Sequence, residues 1–165
     1  MNKLFLICPD CYIEQPIRNK FGDNCFFLTA LGTVFDLTSF EYLEEINQFV
    51  VRENIEQIYL VNDTSCTFIK NAVEGEVKFD TKAEKTLLDI KSSSSEMRNL
   101  SSDEQKCSKI AELNLKRLTY ELTESAFLGQ KIENNEIDLK GLLFDKSSKQ
   151  FKDLSLDFKS VIDSP

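Results

Sequence analysis

Thiols are the side chains here with the most to offer chemically. Cysteines stand at 8, 11, 25, 66 and 107, and the 165 residues contain no histidine. Cys8 and Cys11 form a Cys-x-x-Cys pair directly after the apolar run Leu4-Phe5-Leu6-Ile7. Such a pair serves a redox couple or half of a zinc site, and it also arises by coincidence. An odd count with irregular spacing, in a chain this long, argues against a disulfide framework. Each residue also has a plain structural reading. A free cysteine behaves as a small buried hydrophobe, so Cys8 and Cys66 at strand ends, and Cys11 and Cys25 likewise, fit a core. Asp63 suits the N-cap of a helix starting at Thr64, and Asp10 an ordinary turn after Pro9. Cys107 falls on a polar helix start and carries no pattern.

The elements that position these residues follow from hydrophobic periodicity. Leu4–Cys8, Cys25–Leu28 and Ile58–Val61 are short continuous apolar runs, the pattern of strands buried on both faces. Between the second and third, Phe40, Leu43, Ile46, Phe49 and Val50 recur at helical spacing, with Thr38 or Ser39 as cap. Asn62–Ser65 introduce another helix carrying Phe68, Ile69, Ala72 and Val73. Residues 74–103, with the run Ser92–Ser95, read as a loop between helices. Ile110, Leu113, Leu115, Leu118 and Leu122 mark a long helix, continued after a break into Ser125–Asn134. Ile137–Phe144 and a short segment near Phe151 read as two strands joined by the turn Asp145–Lys149. Strands alternating with helices over short connections predict an α/β fold with a mainly parallel sheet.

Length and composition set the outer limits. The size is that of one domain, residues 1–165. A net charge of −8 argues against nucleic acid or an anionic membrane as partner, since both recruit basic surfaces. No stretch approaches the ~20 apolar residues of a membrane span. The apolar run at the start is too short for a secretory leader, so a cytoplasmic location is expected.

Three separated blocks resemble β-class carbonic anhydrases. Cys8-Pro9-Asp10-Cys11-Tyr12 is similar to that family's Cys-x-Asp-x-Arg, with Tyr12 at the arginine position. Gly22-Asp23 through Gly32 resembles its Gly-Asp, apolar strand and Arg-Asn-Ala-Gly, without the arginine and asparagine. Ile58–Cys66 resembles its strand followed by His-x-x-Cys, with Asp63 at the histidine position. Ile110–Leu115 and Lys140–Asp145 look like the family's later helix and hairpin.

The resemblance implies a central sheet of about five strands flanked by helices, mainly parallel, with an antiparallel C-terminal edge hairpin. The family's N-terminal helical arm has no counterpart, and a homodimer is the implied assembly. The resemblance also implies zinc as cofactor, held by Cys8, Asp63 and Cys66, with Asp10 as a further ligand or catalytic group. Carbon dioxide and bicarbonate, or another small molecule, are the implied substrates. Hydration requires a metal-acidified water and an open fourth position. An aspartate in place of imidazole makes the donor set trianionic and weakens that acidification. Without its arginine partner, Asp10 is free to close the fourth position, unless Arg18 or Arg52 reaches it. Thr29, Ala30 and Tyr12 also lower the positive charge expected near the site. Three functions stand: a carbonic anhydrase-like protein weak or inactive in hydration, a divergent but working zinc hydratase (a lyase), and a thiol redox protein on Cys8 and Cys11.

Overall fold

The computed structural model describes residues 1–156, so the end of the 1–165 span read as one domain lies outside the described residues. Strand β1 (Asn2–Ile7) is buried from Leu4 onward, each of its last four side chains being at most 1% exposed. Its two neighbours explain this. β2 (Cys25–Thr29) and β3 (Ile55–Asp63) both pair with it in parallel, aligning Leu6 with Leu28 on one side and with Leu60 on the other. β4 (Asp138–Asp145) adds in parallel to β3, and β5 (Gln150–Leu154) closes the edge antiparallel to β4. The order β2-β1-β3-β4-β5 is the expected five-stranded mixed sheet flanked by helices. Strand β3 runs longer than its apolar run Ile58–Val61 because Ile55 and Gln57 are buried as well.

Two helices escape the hydrophobic pattern. Helix α1 (Glu14–Phe21) offers only Ile17 and Phe21, with Ile13 just before it, but these recur every four residues, and Pro16 falls in the first turn where its missing N–H is harmless. Phe21 anchors it: its ring lies 5.3 Å from Phe5 and 5.0 Å from Tyr59, which themselves stack at 4.6 Å. Helix α2 (Phe40–Arg52) starts where expected, with Ser39 Oγ accepting from the Tyr42 N–H, and buries Leu43, Ile46 and Val50. Helix α3 (Thr67–Glu74) stops at Gly75, whose φ of 74° is left-handed.

The stretch 74–103, expected as loop, contains helix α4 (Lys82–Ser93). Its signal is a capping box rather than an apolar stripe. Thr81 Oγ1 accepts from the Glu84 N–H, while the Glu84 carboxylate accepts from the N–H groups of Lys78, Phe79 and Thr81. Helix α5 (Asp103–Thr123) begins at the Ser102 cap, seven residues ahead of Ile110, and α6 (Leu128–Glu133) follows. Among the described residues no helix is long and apolar enough to cross a membrane.

Burial pushes the Glu84 carboxyl up, but the hydrogen bonds from Thr81, Phe79 and Lys78 outweigh it and hold the pKa at about 2. A depressed folded-state pKa adds stability above the unfolded carboxyl range, and that stability is lost as pH falls toward 2. Glu84→Gln should therefore lower the melting temperature at neutral pH and differ much less from the parent near pH 2.5 (about half a unit above the folded pKa). An equal deficit at both values would show that the charge contributes nothing.

Candidate metal centre

Strand β1 has its sequence-adjacent partner β2 on one side and β3 on the other, so the chain leaves the C-terminal ends of β1 and β3 in different directions. A crevice at such a point is where parallel α/β sheets place ligands. Cys8 directly follows β1, and Cys66 lies three residues past the end of β3. Their sulfurs are 4.0 Å apart. A 3-10 turn over Pro9–Cys11, closed by the Cys11 N–H on the Cys8 carbonyl (3.3 Å), brings the third thiol round. The Sγ atoms of Cys8, Cys11 and Cys66 all lie within 4.8 Å of one another. All three residues are buried.

The cluster distributes charge unevenly. Hydrogen bonding from Cys11, then from Cys66, and the backbone N–H of Gly32 at 3.2 Å hold the Cys8 thiol well below the ordinary range, against the effect of burial. Cys11 is pushed the other way by Cys66, by Cys8 and by burial. Cys66 is favoured as thiolate by Cys11 but raised overall by Cys8 and burial. Of the three, Cys8 is the one whose thiolate the surroundings favour.

A buried polar network sets the amide that faces Cys8. Gly32 has φ of 64°, and a Cβ there would stand 3.0 Å from Leu87 Cδ1, so both conformation and space call for glycine. Its carbonyl accepts from the side-chain amides of Asn62 (3.2 Å) and Asn114 (3.4 Å). Asn114 also donates to Asn62 Oδ1 at 2.9 Å and to the Thr33 carbonyl at 3.2 Å, and Thr33 Oγ1 donates to the Val61 carbonyl. Helix α5 is thereby fastened to the loop behind the thiols. The chemical role of Asn62 and Asn114 leaves no trace in the sequence beyond a polar residue inside an apolar strand and another inside an apolar helix stripe.

The residues expected at the site divide as follows. Cys8 and Cys66 converge. Asp63 is 1% exposed, but its Oδ1 accepts from the N–H and hydroxyl of Ser65, both at 2.7 Å, and its Oδ2 has no hydrogen-bond partner. It makes a local turn rather than the cap of α3, and its carboxylate is outside the close group. Asp10 is exposed and forms no ion pair among the described residues. Neither arginine considered for it pairs with it: Arg18 sits over the Phe27 ring and donates to the Asp23 carbonyl, and Arg52 bonds Glu53. Tyr12 is 80% exposed in a left-handed conformation. Cys11, read as a core residue, is buried and yet also part of the cluster; the Cys-x-x-Cys spacing was its signal. Cys25 and Cys107 are buried elsewhere.

Three sulfurs suit a thiophilic ion. Tetrahedral zinc with Zn–S near 2.3 Å sets its sulfurs about 3.8 Å apart, close to the 4.0 Å between Cys8 and Cys66. The donor set therefore fits zinc.

The sequence matches no family model and no curated protein. Solved structures do resemble it. The β-carbonic anhydrase CafA of Aspergillus fumigatus superposes with a TM-score of 0.82 at 17% identity, over 98% of this chain and 79% of that one. Tetrameric β-carbonic anhydrases of Sordaria macrospora give 0.79 at 16% identity, over 93% and 80%. The Coccomyxa β-carbonic anhydrase bound to acetazolamide gives 0.75 at 13%, over 93% and 71%. At such identities the likeness is one of fold: this chain has the β-carbonic anhydrase fold.

Asn114→Ala should lower stability by about 2–4 kcal/mol, because it leaves the Gly32 and Thr33 carbonyls and Asn62 Oδ1 short of donors in a dry interior. Urea unfolding measures it, and a loss below about 0.5 kcal/mol would mean that the network carries no weight.

Proposed function

We propose that this chain is a β-carbonic anhydrase-like protein that holds one zinc ion with Cys8, Cys66 and Cys11, and that it is weak or inactive in carbon dioxide hydration. The observation behind this reading is the triad of buried sulfurs at the β1–β3 crevice, in a chain with no histidine and with Tyr12 in place of an arginine. Zinc held there would supply the Lewis acidity that brings a water's pKa toward neutrality.

The chain's own residues decide how much of that acidity survives. Two thiolates and a neutral imidazole donate two negative charges, whereas three thiolates donate three, and a more negative donor set acidifies water less. Asp10 is exposed and outside the close thiol group, so a role as fourth ligand requires the Pro9–Cys11 turn to swing its carboxylate inward, with no bidentate cationic partner to hold it aside. Asp63, with one buried oxygen unpartnered, is the alternative third ligand beside Cys8 and Cys66. Both substitutions lower the yield of hydroxide. A homodimer is the proposed assembly. A thiol couple of Cys8 and Cys11 is the second reading, supported by the closeness of the same sulfurs.

Metal analysis of freshly purified protein, with carbon dioxide hydration followed by pH change on the same sample, tests the proposal. A single equivalent of zinc is expected, with hydration close to the uncatalysed rate. Cys66→Ala and Cys11→Ala should each lose most of the metal and Asp63→Ala should keep it; the reverse pattern for Cys11 and Asp63 would make Asp63 the third ligand. Asp63→His combined with Tyr12→Arg and Cys11→Ala, which exchanges the third thiolate for an imidazole and leaves the fourth position open, should raise hydration by at least about tenfold (about 1.4 kcal/mol). Metal-free protein whose Cys8 and Cys11 thiols cycle through a disulfide would favour the redox reading instead.

A further inference from the structure

A cavity of about 540 Å³ opens between the start of α1 and the β4–β5 hairpin, with Cys11 among its walls. Small-molecule sites commonly span about 300–1,000 Å³, so this cleft has the right scale for a compact organic ligand. Its charge is unlike that of the rest of the molecule. The chain carries 28 acidic against 20 basic residues, yet the charged residues lining the cleft are Lys20, Lys146 and Lys149, with no carboxylate among them. None of the three lysines enters an ion pair among the described residues.

The same cleft has an aromatic wall. Phe151, whose ring packs on Phe144 at 4.7 Å and edge-on to Phe21 at 5.9 Å, is fixed in place. The Lys20 ammonium stands 5.7 Å from the Phe151 centroid and 5.8 Å from that of Phe21, held near the rings by cation–π attraction. Lys146 and Lys149 come from the hairpin turn, where Lys149 adopts a φ of 57°. Exposed Tyr12 lines the cleft as well. Three ammonium groups without counter-charges favour an anion of more than one charge, and lysine acts as a point charge toward phosphate. The aromatic wall favours a ligand with a flat apolar body.

We propose that this cleft binds a small organic phosphate with an aromatic body, the phosphate held by Lys20, Lys146 and Lys149 and the body packed on Phe151. The site does not depend on a metal at the thiol cluster, although Cys11 belongs to both. Of the residues expected to lower the positive charge near the metal site, only Tyr12 lines this cleft, and its lysines arrive from α1 and a distant hairpin.

Phenyl phosphate titrated calorimetrically into the full chain at low salt is the test, with inorganic phosphate and benzyl alcohol as comparisons. Phenyl phosphate should bind at a single saturable site, tighter than either comparison. The affinity should fall by about tenfold in the double variant K146Q/K149Q, and fall again as salt is raised. Binding retained in Cys66→Ala, which breaks the thiol cluster without touching the cleft, supports the proposal even if no zinc is found. No saturable binding, or binding that K146Q/K149Q leaves within about twofold, overturns it. So does binding lost in Cys66→Ala but intact in K146Q/K149Q, since the thiol cluster would then hold the anion. A dimer that closes the cleft to phenyl phosphate also overturns it.

Discussion

Parallel pairing of β1 with β3 is the constraint from which the rest follows. Hydrogen bonding fixes the register, Leu4 opposite Ile58 and Leu6 opposite Leu60, and a slip of one residue would turn every side chain to the other face of the sheet. In the observed register β1 ends one residue past the Leu6–Leu60 pair while β3 runs on to Asp63, so Cys8 lies beside the end of β3, where the turn leading to Cys66 brings the second sulfur to it. The apolar residues that make these strands buried on both faces are thus also what bring the Cys8 and Cys66 sulfurs to 4.0 Å. Elements farther away hold this crossing in place. Asn114 of α5 braces the Gly32 loop from behind, and the Phe5–Tyr59–Phe21 cluster ties α1 across β1 and β3.

The thiol cluster carries an electrostatic tension that its surroundings resolve only partly. Two unit charges about 4 Å apart repel by about 4 kcal/mol at an effective dielectric constant of 20. Repulsion and burial thus oppose more than one charge in the cluster, while hydrogen bonds from Cys11 and Cys66 and from the backbone of Asp10 and Gly32 favour that charge at Cys8. A divalent cation reverses the balance, because it neutralises the charges that repel. Binding of such an ion would require thiolates, which would link metal affinity to pH. A cluster of this kind is a tolerable core when protonated and a strong soft-metal ligand when ionised. Both readings of a buried cysteine hold for the same three residues.

The sheet was legible in the sequence because strands buried on both faces announce themselves as apolar runs between turn residues, and α2 and α5 because their stripes are long. Helix α4 was hidden: only Ala83, Glu84 and Leu87 are buried along it, too few for periodicity, and its evidence lay in the Thr81-x-x-Glu84 cap. Helix α1 is short and shows two apolar residues. At the site, convergence of Cys8 and Cys66 could be read, because it follows from strand order. The inclusion of Cys11 was signalled only by the Cys-x-x-Cys spacing, because such a pair turns its second sulfur inward or outward according to the local turn. Here the 3-10 turn and left-handed Tyr12 turn it inward. The Asp63 carboxylate was equally illegible, since a position three residues before a cysteine says nothing of Ser65, which ties up one of its oxygens.

Fold and site chemistry have separated in this chain in a way that charge makes explicit. The sheet and its crevice are those of the β-carbonic anhydrase fold, and the fold by itself carries no reaction. Where the resembling motifs carry a histidine and an arginine, this chain has Asp63 and Tyr12. With zinc held by three thiolates, as proposed, the donor set would carry three negative charges and acidify water less. Lys20, Lys146 and Lys149 line the neighbouring cleft, outside the thiol cluster and beside an aromatic wall. Lysines so placed attract an anion without restraining Asp10 or changing the charge of the donor set. On the proposed reading, the charge around the two sites would favour capture of a ligand over activation of water.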